Sequence, residues 1–211
     1  MFEISRIENF PINSNSFVVY NKTIGLECVI IDPGSSNNTN LYNFIASKNL
    51  IPKYIILTHE HFDHCWGGND LRERFPTIKL VCSSGCSNKI QDMKQNLSVF
   101  HHQPGFKLLR ADIEVNEYMS ELSWGKHKIS FYPAMGHTAS GIMFTIGNYL
   151  FTGDELIKDI KTVTKLKTGS KDKLKESIQL LNTMKGKGLL VCPGHGDTFS
   201  LDDYDLEKAI K

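Results

Sequence analysis

A short apolar segment that ends on a cluster of histidine and aspartate is the most informative part of this 211-residue chain. Residues Tyr54–Thr58 form a continuous apolar run, which is typical of a strand buried on both faces. The sequence His59-Glu60-His61-Phe62-Asp63-His64 follows at once. Because ligand sites in α/β sheets lie beyond the carboxyl ends of strands, this arrangement predicts a layered fold with a functional site at the end of that strand.

Short strand-like runs alternate with longer helical patterns along the rest of the chain. The pattern predicts strands over Ser16–Tyr20, Glu27–Ile31, Ile78–Cys82, Lys128–Tyr132, Ile142–Ile146, Tyr149–Thr152 and Leu189–Cys192. It predicts helices over Thr39–Lys48, Gly68–Phe75, Asn88–Leu97, Asp172–Met184 and Asp203–Ile210. Each half therefore has strands first and helices after, and residues 1–211 are interpreted as a single domain built of two similar layers.

Composition excludes several classes of protein. Lys and Arg number 24 against 23 Asp and Glu, a balance that argues against a protein whose main role is to coat nucleic acid or an anionic membrane. The longest apolar runs are far shorter than the roughly 20 residues that a membrane-spanning helix needs. The N-terminus shows no basic region followed by an apolar run, and the five Cys form an odd number. We therefore expect a cytoplasmic protein with free thiols.

Three further signals place Gly beside a metal-ligating side chain near the end of a predicted strand. They are Gly136-His137-Thr138, Gly153-Asp154 and Gly194-His195-Gly196. Imidazole and carboxylate together suit zinc, iron or manganese. The candidate ligands are His59, His61, Asp63, His64, His137, Asp154 and His195. These are too many for one tetrahedral ion and suit two ions that share a bridging carboxylate and a water.

The order H-x-H-x-D-H, GHT, GD and GHG resembles that of the metallo-β-lactamase superfamily, most closely its hydroxyacylglutathione hydrolase (glyoxalase II)-like branch. The match extends from Asp32-Pro33-Gly34 to His195. The resemblance implies an α+β fold, a four-layer αββα sandwich. It further implies that one divalent ion is held by His59, His61 and His137, and a second by Asp63, His64 and His195, with Asp154 bridging the two. Two zinc ions are the expected cofactors, with iron or manganese as alternatives.

The activity that this resemblance implies is dinuclear metal-dependent hydrolysis of a thioester or related ester, with a metal-bound hydroxide as nucleophile. The expected partner is a small-molecule substrate, and an anionic thioester is the candidate. Asp63 is the candidate to accept or relay a proton. Asp32 either holds a ligand histidine by its second ring nitrogen or is a simple turn residue. β-Lactam hydrolysis is disfavoured because lactam-hydrolysing members lack a bridging Asp at the position of Asp154.

Other activities remain open at this point. A persulfide dioxygenase would use the same motif with one iron, held by His59, His137 and Asp154. An RNA-processing nuclease would use the two-metal site on a phosphodiester, although a pI near 7.7 weighs against it. A binding protein with an inactive site is disfavoured because no ligand is missing. Neither membrane nor nucleic acid is an expected partner, and the oligomeric state is left open.

A basic segment, Lys158–Lys175, begins four residues after Asp154. It holds seven Lys against Asp159 and Asp172, a local formal charge of +5. It either attracts an anionic substrate, such as a thioester of glutathione or coenzyme A or a phosphodiester, or is a solvated loop and helix face. The stretch Glu155–Ile160 lacks the Gly/Cys/Arg-containing loop of hydroxyacylglutathione hydrolases, so glutathione specificity does not follow from the resemblance.

Overall fold

Strands that follow one another along the chain lie side by side in two sheets. The computed structural model of the protein describes residues 2–21, 25–101, 104–116 and 120–210. The chain divides into two compact units, Met1–Asn116 and Glu117–Lys211, and each unit contains one sheet of six described strands. The interpretation of residues 1–211 as a single domain stays a prediction.

The sheet of the first unit is antiparallel at one edge and parallel at the other. Its strands, in chain order and in sheet order, are β1 (Glu3–Glu8), β2 (Asn15–Tyr20), β3 (Glu27–Ile31), β4 (Ile51–Ile56), β5 (Lys79–Ser83) and β6 (Ile113–Val115). β1, β2 and β3 pair antiparallel, whereas β3, β4, β5 and β6 pair parallel. The carboxyl ends of β3 and β4 therefore meet at the same edge of the sheet.

Five helices accompany this sheet among the described residues of the first unit. They are α1 (Thr39–Ser47), α2 (Phe62–Cys65), α3 (Gly68–Arg74), α4 (Ser84–Lys89) and α5 (Ser98–His101). The side chain of Asn38 caps α1 by accepting a hydrogen bond from the Leu41 amide, which stabilises the first turn. Leu41 and Ile45 lie on the buried face of α1 and join the core that includes Ile30 and Ile55.

The second unit has its own sheet and its own core. Its strands are β7 (Glu121–Trp124), β8 (His127–Pro133), β9 (Ile142–Ile146), β10 (Tyr149–Gly153), β11 (Leu190–Pro193) and β12 (Phe199–Ser200). Neighbouring strands pair antiparallel except β10 and β11, which pair parallel. Helix α6 (Lys171–Met184) contributes Leu174, Ile178 and Leu181 to the core of this unit.

Most predicted elements are confirmed, and two helices are corrected. The strand Ile142–Ile146 is found as predicted, and the predicted helix Asp172–Met184 differs by one residue at its start. The predicted helix Asn88–Leu97 is wrong, since α4 ends at Lys89 and turns follow. The predicted helix Asp203–Ile210 is also wrong in type, because only a 3₁₀ turn forms, over Leu206–Ala209. Among the described residues, no helix combines the length and the apolar character that crossing a membrane requires.

Candidate metal centre

The candidate ligands of the first unit lie directly beyond the carboxyl end of β4. Thr58 and His59 follow the strand, His61 precedes the first residue of α2, and Asp63 and His64 lie in that short helix. The ring of His59 lies 4.6 Å from that of His61 and 4.2 Å from that of His64, measured between ring centroids. The tight turn into α2 therefore brings the three imidazoles of the motif together within the first unit.

Asp32 ties this turn to the neighbouring strand end. It follows β3, which pairs parallel with β4, and its backbone has a positive φ of 47°. One carboxylate oxygen accepts a hydrogen bond from the Thr58 amide (2.8 Å), and the other accepts one from the Thr58 hydroxyl (2.6 Å). The second oxygen also lies 3.0 Å from Nδ1 of His64. Of the two roles that the sequence left open for Asp32, the structure supports the one in which it holds a histidine.

These contacts decide which ring nitrogen carries the proton. The single hydroxyl proton of Thr58 goes to Asp32, so its oxygen accepts from Nδ1 of His59, 3.0 Å away. Nδ1 of His64 likewise donates to the carboxylate of Asp32. Both imidazoles then present the Nε2 lone pair on the opposite side of the ring, which is the arrangement of metal-ligating histidines.

Asp32 also comes close to being a ligand itself. One donor atom from each of Asp32, His59 and His64 lies within 4.8 Å of the other two. Its oxygens, however, already accept from Thr58 and His64, and a carboxylate engaged in this way orients ligands. We therefore interpret Asp32 as a positioning residue.

Replacing Asp32 by Asn tests that role. The amide would present a donor where Thr58 and His64 require an acceptor, which forces the imidazole of His64 into the other tautomer. We expect metal affinity to fall about 10- to 100-fold, as for other partners of metal-ligating histidines. Competition with a fluorescent chelator measures the affinity. Asp70→Asn is the matched control, because Asp70 accepts from Ser36 and the Asn37 amide, away from the histidines. Equal affinity in the two variants would contradict the role given to Asp32.

Glu60, one of the two motif residues that bind no metal in the expected scheme, has a partner of its own. Glu60 is 1% exposed, and its carboxylate forms an ion pair with Lys89 at 2.8 Å. The Cys65 thiol donates to the Glu60 carbonyl at 3.4 Å. Glu60 therefore fixes the backbone between His59 and His61 and links it to α4.

Backbone packing under Asp63 requires a glycine. A Cβ at Gly34 would collide with the Asp63 carbonyl oxygen and would also lie 2.5 Å from Oγ of Ser14. The Ser14 hydroxyl donates to that same carbonyl. The backbone of the Asp-Pro-Gly turn after β3 therefore packs directly against the turn that carries Asp63 and His64, and only glycine leaves room for this contact.

Two candidate ligands of the second unit lie at the ends of the parallel pair β10 and β11. The register of this pair shifts between Phe151 and Gly153, and the Gly194 amide donates to the Gly153 carbonyl at 2.8 Å. Asp154 and His195, which directly follow these two glycines, therefore lie side by side just beyond the two strands. One oxygen of Asp154 lies 3.6 Å from Nε2 of His195, and its other oxygen lies 3.6 Å from Nε2 of His137.

A carboxylate flanked in this way suits a shared ligand. Two ligands of one tetrahedral ion, each about 2 Å from it, lie about 3.3 Å apart. The two Asp154 distances are close to that value and exceed an ordinary hydrogen bond. Since each oxygen faces a different imidazole, the residue has the geometry expected of a bridging carboxylate. The second unit therefore brings together its three predicted site residues: His137, Asp154 and His195.

Two contacts that the sequence did not indicate hold His137. Nδ1 of His137 lies 2.8 Å from the Val163 carbonyl, which can only accept, so Nε2 is again the nitrogen with a lone pair. The buried carboxylate of Glu155 accepts from the amides of Gly136 and His137. Burial raises the pKa of Glu155, while hydrogen bonds from Ser177 and from these amides act in the opposite direction. Glu155, the residue after Asp154, thus fastens the turn that carries His137 to the chain beyond β10.

Comparison with known proteins agrees with this geometry. A family model described as the metallo-beta-lactamase superfamily matches residues 9–195. The hydroxyacylglutathione hydrolase of Hamiltonella defensa subsp. Acyrthosiphon pisum is 27% identical over 92% of this chain and 68% of that enzyme. The hydroxyacylglutathione hydrolase of Xanthomonas oryzae pv. oryzae is 28% identical over 82% of this chain, a match that covers 57% of its own length.

The fold also matches that of a solved structure. The crystal structure of the BLEG-1 B3 metallo-beta-lactamase superposes with a TM-score of 0.85 at 26% identity, and the match covers 94% of each chain. The predicted α+β fold of the metallo-β-lactamase type is confirmed by this likeness.

Proposed function

Because this chain belongs to the metallo-β-lactamase superfamily, as its motifs predicted, we propose that it is a metal-dependent hydrolase of a thioester or related ester. Two relatives named hydroxyacylglutathione hydrolase, matched over most of this chain, support hydrolysis as the reaction class. The chain spans 57% of the length of one of them, so the substrate of the whole relative is carried over only as part of this proposal.

One observation carries the metal site. His59, His64 and His137 each have Nδ1 held by an oxygen of Thr58, Asp32 and Val163 respectively. Histidines anchored through one nitrogen in this way present the other to a metal. The carboxylate of Asp154 lies beside Nε2 of both His137 and His195. Imidazole and carboxylate donors of this kind fit zinc, iron or manganese.

The proposed ligand assignment follows the resemblance. One ion is held by His59, His61 and His137, a second by Asp63, His64 and His195, and Asp154 is shared. Two divalent ions are the proposed cofactors, with zinc first and iron or manganese as alternatives. Bound in such a site, divalent ions supply Lewis acidity, which acidifies water and polarises a carbonyl oxygen.

The chain's own residues would then orient and transfer protons. Asp32 and Thr58 fix the imidazoles of His59 and His64, and the Val163 carbonyl fixes that of His137. Asp63 is the proposed proton acceptor. Its side chain is 13% exposed, and one of its oxygens lies 3.7 Å from Nε2 of His64. A carboxylate at the surface of the metal site can take a proton from the attacking water and return it to the leaving thiolate.

Metal content is the first measurement for this proposal. Elemental mass spectrometry on protein purified without added metal or chelator should give close to two ions per chain. The loaded protein should then release free thiol from a simple acyl thioester. One iron per chain together with oxygen uptake in the presence of glutathione persulfide would instead identify a dioxygenase. Turnover of a chromogenic cephalosporin or of a phosphodiester, without thioester cleavage, would identify a different hydrolase of the same superfamily.

Removing the metal should destabilise the protein as well as inactivate it. A ligand present at a thousand times its dissociation constant stabilises the folded state by about 4 kcal/mol. For a chain of this size we expect dialysis against chelator to lower the melting temperature by about 8 °C or more. Differential scanning calorimetry before and after dialysis measures the shift. Re-addition of zinc should restore both the melting temperature and the activity. A melting temperature that is the same before and after metal removal would contradict a metal site built from buried histidines.

A further inference from the structure

The basic segment Lys158–Lys175 has an electrostatic character that no part of the proposed chemistry uses. All seven of its lysines are exposed: Lys158, Lys161, Lys165, Lys167, Lys171, Lys173 and Lys175. Its two acids are engaged, since Asp159 pairs with Lys208 at 2.7 Å and Asp172 pairs with Lys175 at 2.9 Å. The segment contains no Arg. Lys173 also pairs with Glu176 at 2.9 Å, so Lys173 and Lys175 are both balanced by an acid of α6. The positive character of the surface therefore depends mainly on Lys158, Lys161, Lys165, Lys167 and Lys171.

The middle of this segment is fastened at both ends to the turn that carries His137. The Val163 carbonyl lies 2.8 Å from Nδ1 of His137, and the Ser170 amide donates to the Gly136 carbonyl at 2.8 Å. Within the loop the Gly169 amide donates to the Leu166 carbonyl at 2.9 Å. Residues 163–170 thus form a closed loop held against a proposed ligand, and Lys165 and Lys167 lie within it.

The positive charges continue into the start of a helix, where they are unfavourable. Lys171, Lys173 and Lys175 lie in the first five residues of α6, and Asp172 is the one acid among these five. The amino-terminal end of a helix carries a partial positive charge and favours anions, so cations there lower helix stability. A bound anion would reverse this effect, because it would face both the lysines and the helix end.

Apolar side chains lie between the lysines. Ile160, Val163 and Leu166 are 49%, 51% and 39% exposed. A ligand that carries phosphate groups together with a long or flat apolar portion matches both properties of this surface. Glutathione has carboxylates but no phosphate and little apolar surface, and therefore matches it less well.

We propose that the basic segment binds the phosphate-bearing carrier half of a coenzyme A-type thioester, which deepens the proposed function and rests on it. The lysines face the phosphates, the exposed Ile160, Val163 and Leu166 contact the apolar part of the carrier, and the loop of residues 163–170 directs the acyl end toward His137. Because the lysines are exposed, their attraction for the ligand weakens as salt rises.

The test measures binding separately from turnover. S-methyl coenzyme A, S-methyl pantetheine and S-methyl glutathione lack both a free thiol and a thioester bond, so calorimetric titration of the metal-loaded protein reports binding alone. The triple variant K165Q/K167Q/K171Q removes three charges from the surface. The control K94Q/K126Q/K187Q removes three exposed lysines elsewhere. Circular dichroism and thermal melts verify that both variants are folded.

We expect wild type to bind S-methyl coenzyme A more tightly than the glutathione or pantetheine analogue. The dissociation constant for S-methyl coenzyme A should rise about tenfold in K165Q/K167Q/K171Q and less than about twofold in the control. Equal affinity in the two variants, or tighter binding of the glutathione analogue, would overturn the inference. So would binding to anionic vesicles or RNA without binding of the coenzyme A analogue. Selective coenzyme A binding by a protein that cleaves no thioester would support the surface and reject the proposed hydrolysis.

Discussion

Replacing Asp154 by Ala is expected to remove both metal binding and catalysis. One carboxylate oxygen of Asp154 lies 3.6 Å from Nε2 of His137, and the other lies 3.6 Å from Nε2 of His195. Ala leaves two imidazoles without the carboxylate that they share. Partners that only orient metal ligands lower metal affinity or activity by about 10- to 100-fold, so loss of a shared ligand should cost more than about a hundredfold in activity.

The experiment needs metal content and turnover from the same preparation. Elemental mass spectrometry should show fewer ions per chain, and the thioester assay should show the matching loss of free thiol. Asp203→Ala is the control, since Asp203 is an exposed acid of the same unit. If the Asp154→Ala protein keeps two ions and full turnover, the assignment of Asp154 as a shared metal ligand is wrong.

A methyl group at Gly34 is expected to destabilise the fold strongly. The added carbon would meet the Asp63 carbonyl oxygen, and it would also lie 2.5 Å from the Ser14 hydroxyl and 2.7 Å from the Asn9 amide nitrogen. A backbone carbonyl in a helical turn cannot rotate away as a side chain can. Overpacking of this kind costs about 3 kcal/mol. For a chain of this length that corresponds to a fall of roughly 6–12 °C in melting temperature.

Gly68→Ala provides a graded comparison within the same unit. Its Cβ would meet Cδ2 of Leu108 at 2.6 Å, the far end of a flexible side chain, and Gly68 begins α3, where Ala is the better helix former. Thermal melts should therefore show a much smaller change for Gly68→Ala than for Gly34→Ala. If Gly34→Ala melts as high as Gly68→Ala, the close approach of the Asp-Pro-Gly turn to Asp63 is not what supports the metal turn.

Hydrophobic pattern was sufficient to predict the central strands of both sheets. β3 and β9 are found at their predicted bounds because their apolar residues are buried and contiguous. β4 begins at Ile51, three residues before the predicted start. Pro52 made the earlier residues look unlike a strand, and the register shift between Cys28 and Val29 opposite it accommodates that proline. Edge strands such as β12, two residues long, have no periodicity to detect.

The wrongly predicted helix shows why local apolar spacing was insufficient. Ser83 caps α4 and places the helix earlier, over Ser84–Lys89. The Asp92 carboxylate then accepts from the amides of Lys94 and Gln95, and the side chain of Asn96 donates to the Ile90 and Phe106 carbonyls. Such side-chain hydrogen bonds to the backbone compete with a helix, and the Phe106 contact depends on tertiary structure.

In the candidate site, too, sequence predicts some of the residues and misses others. The candidate ligands could be named because their spacing and flanking glycines form a pattern. The Val163 carbonyl could not, because any residue can supply a carbonyl and this one lies 26 positions from His137. Glu155 offered one signal, a carboxylate between Asp154 and the apolar pair Leu156-Ile157, which suggests a buried acid with a structural partner.

The order of strands has a consequence for how the protein is made. In each sheet, every described strand pairs with the strand that precedes or follows it in the chain. Pairing between sequence neighbours closes short loops, which keeps contact order low for a protein with parallel strands. Each sheet can therefore grow one strand at a time as the polypeptide leaves the ribosome, and no strand of either sheet has to wait at an open edge for a partner encoded in the other unit.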